Sequence, residues 1–242
     1  MKSIKIYALA LGLLAVFAGC QNDVVKPLEN DKEAPAPVRD VTYTKMSGSV
    51  LLTYTLPSDP DLLYVAASYT NKAGKKYEFK ASYFTNTLLV EGFGDTDTYS
   101  LDVYAVDRSE NYSEPVNIQV AADTPPVQAA YETLEVQPDF GGMTFSFDNA
   151  SKADLTVYVS TPNADNEMVN AETFYTGLAK ATFSVRGFLD VPRDFEICFE
   201  DKWGNRSPVK KENLTPIYEA ELDKKKFKEV ILPGDFPCTF YE

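Results

Sequence analysis

The stretch "YSLDVYAVDRSENYS", residues 99–113, decides the fold. Its first half alternates: Tyr99, Leu101, Val103 and Ala105 fall on one face and Ser100, Asp102 and Tyr104 on the other, because successive side chains of a strand point to opposite sides. One apolar face and one wet face describe a strand of an antiparallel sheet laid on a core. The second half, "DRSENYS", is a reversal, since Asp, Asn and Ser supply the backbone angles and side-chain capping that tight turns need. A variant of that half, "DKWGNRS", stands at 201–207 and holds the single Trp of the chain.

Working outward, residues 38–120 break into further period-two runs: "VRDVTYT", "SVLLTYTL", "LLYVAASYT", "KKYEFKA", "NTLLVEGF" and "VNIQV", each closed by Pro, Gly, Asn or Asp. That spacing is the signature of a β-sandwich. The pattern then returns after "TPPVQ" at 124–128. "SVLLTYTLP" is answered by "GMTFSFDNA" and "VEGF" by "VRGF", while Asp107 and Asn111 are answered by Asp201 and Asn205, each 94 residues further on. A repeat of this length is a whole domain duplicated, not a solenoid unit. The fold expected is therefore all-β, two tandem antiparallel β-sandwiches over residues 37–123 and 124–216. In both, the Asp-to-Ser loop joins the last two strands. Trp203 is left over, because the first copy has Ser109 at that place and a turn has no need of an indole.

Composition agrees with this and removes several kinds of chemistry. Apolar residues make up 44% of the 242-residue chain, enough for real cores. The net charge of −13 opposes a nucleic-acid partner, which needs clustered Lys and Arg. The chain has no His, so Ser-His-Asp triads, His-based zinc sites and His acid–base catalysis are out of reach.

At the N-terminus, Lys2 and Lys5 precede the apolar run "IYALALGLLAVF", too short to span a bilayer core that needs about 20 residues. Residues 1–19 read as a signal peptide. The run closes on Phe17-Ala18-Gly19-Cys20, which resembles a bacterial lipobox, with Phe17 in place of the usual Leu. Cys20 is the expected lipid attachment site, and acyl chains on one cysteine would hold the protein on a membrane. Removing residues 1–19 takes away two lysines and no acid, so the charge moves from −13 to −15 and the anchor is the acyl group, not a basic patch. Residues 20–36 are polar and end in alternating prolines, a tether that could lift a domain on the order of 50 Å if extended.

The first copy resembles a fibronectin type III or related immunoglobulin-like module, on Leu89, Gly92 and Tyr99 opening a strand, with no cysteine in residues 38–123. Tyr99 stands where a tyrosine corner would, and Arg193 takes that place in the second copy. The lipobox, "PSDPDLLYVAASYT", "YEFKASYFTNTLLVEGFGDTDTYSLDVYAVDRSENYSEPV" and "SVRGF" with "EDKWGNRS" together resemble a group of Bacteroidetes outer-membrane lipoproteins of uncharacterised function. The resemblance covers nearly all of residues 1–230. It implies two immunoglobulin-like domains followed by a discoidin-like (F5/8 type C) domain, and genes that often accompany glycan-uptake systems. Here residues 217–242 resemble the connector to that third domain, which is not expected in this chain, and are read as a connector or as a tail packed on the second sandwich. The resemblance also implies an outer-membrane, outward-facing, lipid-anchored protein with a polysaccharide or an outer-membrane transporter complex as partner, and Asp23 near Cys20 fits an export signal of that kind.

Sugar-binding proteins stack exposed aromatic rings on pyranose faces and add a few carboxylate or amide hydrogen bonds. Trp203, flanked by Asp201, Asn205 and Arg206, has that composition, and Tyr112 in the sister loop is the second candidate. Asp59 with Asp61, and Asp95 with Asp97, lack the dense acid pattern of a calcium loop and read as turn residues. No metal or cofactor is expected, and a small sandwich offers no deep cleft for catalysis. Cys198 alternates with Glu196 and Glu200 on the outward side, so a bridge to Cys238 requires the tail to cross that face. The run Lys224 to Lys226, interleaved with acids, reads as a solvated face. The function expected is non-enzymatic glycan binding or work in a glycan-uptake complex; the alternative is a structural spacer or adhesin stalk presenting a distal domain.

Overall fold

The computed structural model describes residues 31–220, 223–228 and 233–234. The signal peptide, Cys20, most of the tether and Cys238 lie outside the described residues. The chain divides into two compact units, broadly the first and second halves of the strand list, with Lys45–Val50 and Glu91–Asp97 grouping with the second.

The runs read from alternation are strands. β1 (Arg39–Met46), β2 (Ser49–Thr55), β3 (Leu62–Thr70), β4 (Lys76–Ser82), β5 (Thr87–Glu91), β6 (Thr98–Asp107) and β7 (Val116–Ala121) follow one another. They form a three-stranded sheet in the order β1-β2-β5 and a four-stranded sheet in the order β4-β3-β6-β7. The alternation in β6 is realised: Tyr99, Leu101, Val103 and Ala105 are buried while Ser100, Asp102 and Tyr104 are not. Val50, Leu52 and Tyr54 of β2 fill the same core from the other sheet. Burying each such aliphatic chain stabilises the fold by about 1.5–3 kcal/mol. Tyr54 keeps its hydroxyl satisfied by donating to the Thr87 carbonyl at 3.3 Å, and burial pushes its ionisation up to about 12.

The second half repeats the plan. β8 (Glu135–Asp139), β9 (Gly142–Asp148), β10 (Leu155–Pro162), β11 (Met168–Thr176), β12 (Lys180–Arg186), β13 (Arg193–Asp201) and β14 (Lys210–Leu214) form sheets β8-β9-β12 and β11-β10-β13-β14. Strand for strand this is the arrangement of the first copy. Its core is richer in rings: Phe147 meets Phe199 edge-on at 4.7 Å, and Phe174 stacks on Phe183 at 4.6 Å. Gly142 opens β9 where a Cβ would run into the Val185 carbonyl, a close backbone approach that glycine allows. Pro138 sits in β8, at the edge of its sheet, where a missing N–H costs no ladder bond.

One element departs from the expected pattern. A seven-residue helix, α1 (Pro126–Glu132), begins within "TPPVQ", and Val127 and Ala130 bury its inner side in the second core beside Leu134. Proline at its first position suits a helix start, since the lost N–H has no partner there anyway. At Arg193, where the first copy has Tyr99, the replacement read from the sequence takes this form. Its guanidinium donates to the Pro162 carbonyl at 2.6 Å and to the Thr161 hydroxyl at 3.0 Å, and lies over the Phe188 ring at 4.8 Å. A charged group held by two acceptors and a ring thus occupies the corner.

Candidate functional site

The two Asp-to-Ser loops link β6 to β7 and β13 to β14, and their hydrogen bonds match atom for atom. Asp107 Oδ1 accepts from the backbone N–H of Ser109 and of Asn111, both at 2.8 Å, and its Oδ2 accepts from Asn111 Nδ2 at 2.9 Å. Asp201 accepts from the N–H of Trp203 and of Asn205 and from Asn205 Nδ2, all at 2.9 Å. At the loop ends, the Ser113 hydroxyl accepts from Ala105 N–H and the Ser207 hydroxyl from Phe199 N–H, each at 3.0 Å. Asp107 is only 1% exposed, so its charge is tolerable only because three donors replace water.

This geometry separates two classes of position. Asp, Asn and Ser hold the loop and are the same in both copies. Ser109 and Trp203, Glu110 and Gly204, and Tyr112 and Arg206 differ between them. Asp201 and Asn205, expected beside Trp203 as ligand groups, are engaged with each other in fixing the turn. Both oxygens of Asp201 accept from its own loop, and Asn205 Nδ2 also lies 3.3 Å from the Gly92 carbonyl.

Trp203 is half-buried, with the Lys202 ammonium 5.1 Å from its ring centroid. Tyr112 is 44% exposed and belongs to a cluster of rings. Its hydroxyl shares a 3.3 Å hydrogen bond with the Tyr64 hydroxyl, and its ring meets Tyr104 edge-on at 5.7 Å. The Lys80 ammonium lies 4.6 Å from the Tyr64 ring, donates to the Tyr64 hydroxyl at 3.3 Å and pairs with Glu78 at 3.1 Å. The hydrogen bond to Tyr64, followed by burial, pushes Tyr112 up to about 12. Burial, then the carboxylates of Asp102 and Glu78, raises Tyr104 above its ordinary value. Lys80 is raised by its hydrogen bonds to Glu78 and Tyr64. Tyr64 and Tyr104 went unremarked as site residues in the sequence. Tyr104 could have been found by its place on the wet face of β6; Tyr64 joins it only through the pairing of β3 with β6.

The corresponding face of the second copy is built differently. Cys198 takes the place of Tyr104, and across the ladder Tyr158 faces it, where Ala66 faces Tyr104 in the first copy. Arg206, in the place of Tyr112, donates from Nε to Glu200 at 2.6 Å and covers the Tyr158 ring at 5.5 Å. The Glu200 hydrogen bond raises the Arg206 guanidinium above its ordinary value. Cys198 is half-buried on the outward side, as its alternation requires.

Carboxylates gather once more near the first loop, where one oxygen each of Asp31, Asp61 and Asp107 lie within 4.8 Å of one another. Asp61 is raised above the usual carboxylate value, first by a hydrogen bond with Asp59. The turn roles read for the acidic pairs are present: Asp61 N–H donates to Asp59 Oδ1 at 3.3 Å and Asp97 N–H to Asp95 Oδ1 at 3.0 Å. Lys224, Lys225 and Lys226 form an exposed 3-10 turn. Among the described residues, no helix is long and apolar enough to cross a membrane.

Residues 35–122 match a family profile described as a domain of unknown function (DUF4959), and residues 123–225 match a second, also described as a domain of unknown function (DUF5126). No curated protein matches the chain. Among solved structures it is similar to a SusE-like protein, at 34% identity and a TM-score of 0.35 over 41% of this chain and 34% of that one. The chain thus spans about a third of that protein's length. It is also similar to the two-domain fibronectin type III segment of chicken tenascin, at 15% identity and a TM-score of 0.35 over 74% of this chain and 99% of that one. A further likeness is to the FN1–FN3 domains of chicken CNTN1, at 9% identity and a TM-score of 0.34 over 75% and 67% of the two chains.

Proposed function

We propose that the protein is a lipid-anchored, outward-facing lipoprotein of the outer membrane that works without catalysis, binding glycans or serving in a glycan-uptake complex. The observation that carries the reading is the partition within the twin loops. Fold-holding positions are constant, and the positions released from that duty carry Trp203 in one loop and Tyr112 in the other. Rings presented from a rigid sandwich end are what a sugar's apolar face requires. The lipobox-like stretch ending at Cys20 and the tether supply the address. The name of the SusE-like protein belongs to that protein; the reading rests on the residues of this chain.

Two experiments test it. Labelled palmitate should enter the wild-type protein and not Cys20→Ala, and external protease should reach the anchored protein on intact cells. The full-length protein in detergent should be retained by at least one polysaccharide on a glycan array. Retention by none would favour a stalk that presents another domain.

A further inference from the structure

We infer that the outer face of the β4-β3-β6-β7 sheet in the first sandwich is a binding surface for neutral polysaccharides, with Tyr64, Tyr104 and Tyr112 as its stacking platform. The inference rests on the glycan-binding reading above and assigns it a place and a sugar class. The pairing register puts outward residues in rows across the sheet. Lys80, Ala66 and Tyr104 form one row, and Glu78, Ser68 and Asp102 the next. Tyr64 stands before the first row, and Thr70 with Lys76 follows the second. From Tyr64 to Thr70 the face runs about 20 Å, at roughly 3.4 Å per residue.

Ala66 and Ser68 are small and buried beneath the larger outward chains around them, so Tyr64, Tyr104 and the polar chains of β4 make the surface itself. Beyond the rings, Ser68, Thr70, Lys76, Ser100 and Asp102 line a hollow of about 370 Å³. Asn117 donates to Ser100 Oγ at 2.7 Å and to Asp102 Oδ1 at 2.9 Å, fixing both groups at the surface. Rings for the C–H face of a sugar therefore lead directly into hydroxyl, amide and carboxylate groups for its hydroxyl rim. Lys76 and Lys80 balance Glu78 and Asp102 on the face, which therefore selects neither sign of charge, and the acidic chain as a whole, at −13, repels a uronate polymer, so the ligand class is neutral.

The second copy supplies the contrast. Tyr158 stands where the first copy has Ala66, Arg206 covers its ring, and Glu200–Arg206 and Glu196–Lys211 ion pairs at 2.6 and 2.7 Å occupy the outward rows. There a guanidinium lies over the one ring, where the first copy groups three tyrosines.

The test is native affinity electrophoresis of the full-length protein in detergent, in gels cast with amylopectin, xylan, galactomannan, mixed-linkage β-glucan or polygalacturonate. The wild type should be retarded by at least one of the neutral polymers and not by polygalacturonate. Tyr104→Ala and Tyr112→Arg should each raise the polymer concentration needed by about tenfold or more, the scale of a central aromatic anchor. Tyr112→Arg is the control for folding, because the twin loop keeps the same hydrogen bonds with Arg206 in that place. Retardation by a neutral polymer that survives both substitutions, or is lost only in Trp203→Ala, overturns the inference and leaves glycan binding standing. Retardation by polygalacturonate alone overturns the sugar class. No retardation by any of the five overturns both.

Discussion

The loops Asp107–Ser113 and Asp201–Ser207 share a backbone and a hydrogen-bond network and differ in what they present. The first puts Tyr112 into a group of rings, and the second puts Arg206 into an ion pair with Glu200. Duplication has kept the residues that make the turn and released those that do not. What the comparison teaches is that the positions repeated between the copies are the ones whose hydrogen bonds hold the turn.

The shared part breaks first. Asp107→Ala and Asp201→Ala each remove the acceptor for three donors. Each should lower unfolding stability in urea by about 2–3 kcal/mol, the range of charge-assisted hydrogen bonds left unmade, and the buried Asp107 should be the costlier of the two. Equal, negligible losses would show that the network is not what holds the loops.

A smaller effect sharpens the contrast at the fourth loop position. Glu110 sits at φ 62° and its counterpart Gly204 at φ 84°, a region that costs a side-chain-bearing residue about 1–2 kcal/mol. Glu110→Gly should therefore stabilise the protein by about 1 kcal/mol, and Gly204→Glu should destabilise it similarly. Nothing stands within 4 Å of a Cβ at Gly204, so the second substitution reports strain and not a clash. Differential urea melts measure both.

The ring cluster is tested by titration. Tyr112 is held up at about 12, chiefly by Tyr64, so Tyr64→Phe should let it ionise closer to 10, read as tyrosinate absorbance. For a group raised on folding, the stabilising contribution is present below its unfolded value near 10 and is lost as the pH rises through about 12. Stability of the wild type should fall across that window, and less steeply in Tyr64→Phe. The least effect is expected at the exposed Glu200–Arg206 pair, where Arg206→Ala should cost no more than about 0.5 kcal/mol.

Much of the fold was legible because burial follows the two-residue period: one face of β6 holds Tyr99, Leu101, Val103 and Ala105, and nothing in the loops contradicts it. Helix α1 was not, because seven residues give only Val127 and Ala130 to mark a helical period, and a double proline at its start reads as a linker. The site was legible in part. Trp203 and Tyr112 stand out on comparing the loops, and the turn chemistry of Asp and Asn is readable there too, but which donors Asp201 serves appears only in the structure. Tyr64 and Tyr112 are 48 residues apart, and no local pattern predicts that their hydroxyls meet.

The most direct test is an NMR titration of the full-length protein carrying labelled tyrosine and tryptophan, with an oligosaccharide cut from the neutral polymer that retards it. Shifts at Tyr64, Tyr104 and Tyr112, with Tyr158 unmoved, are the predicted result. Shifts at Tyr158, or at Trp203 with the three first-copy tyrosines silent, would contradict the account.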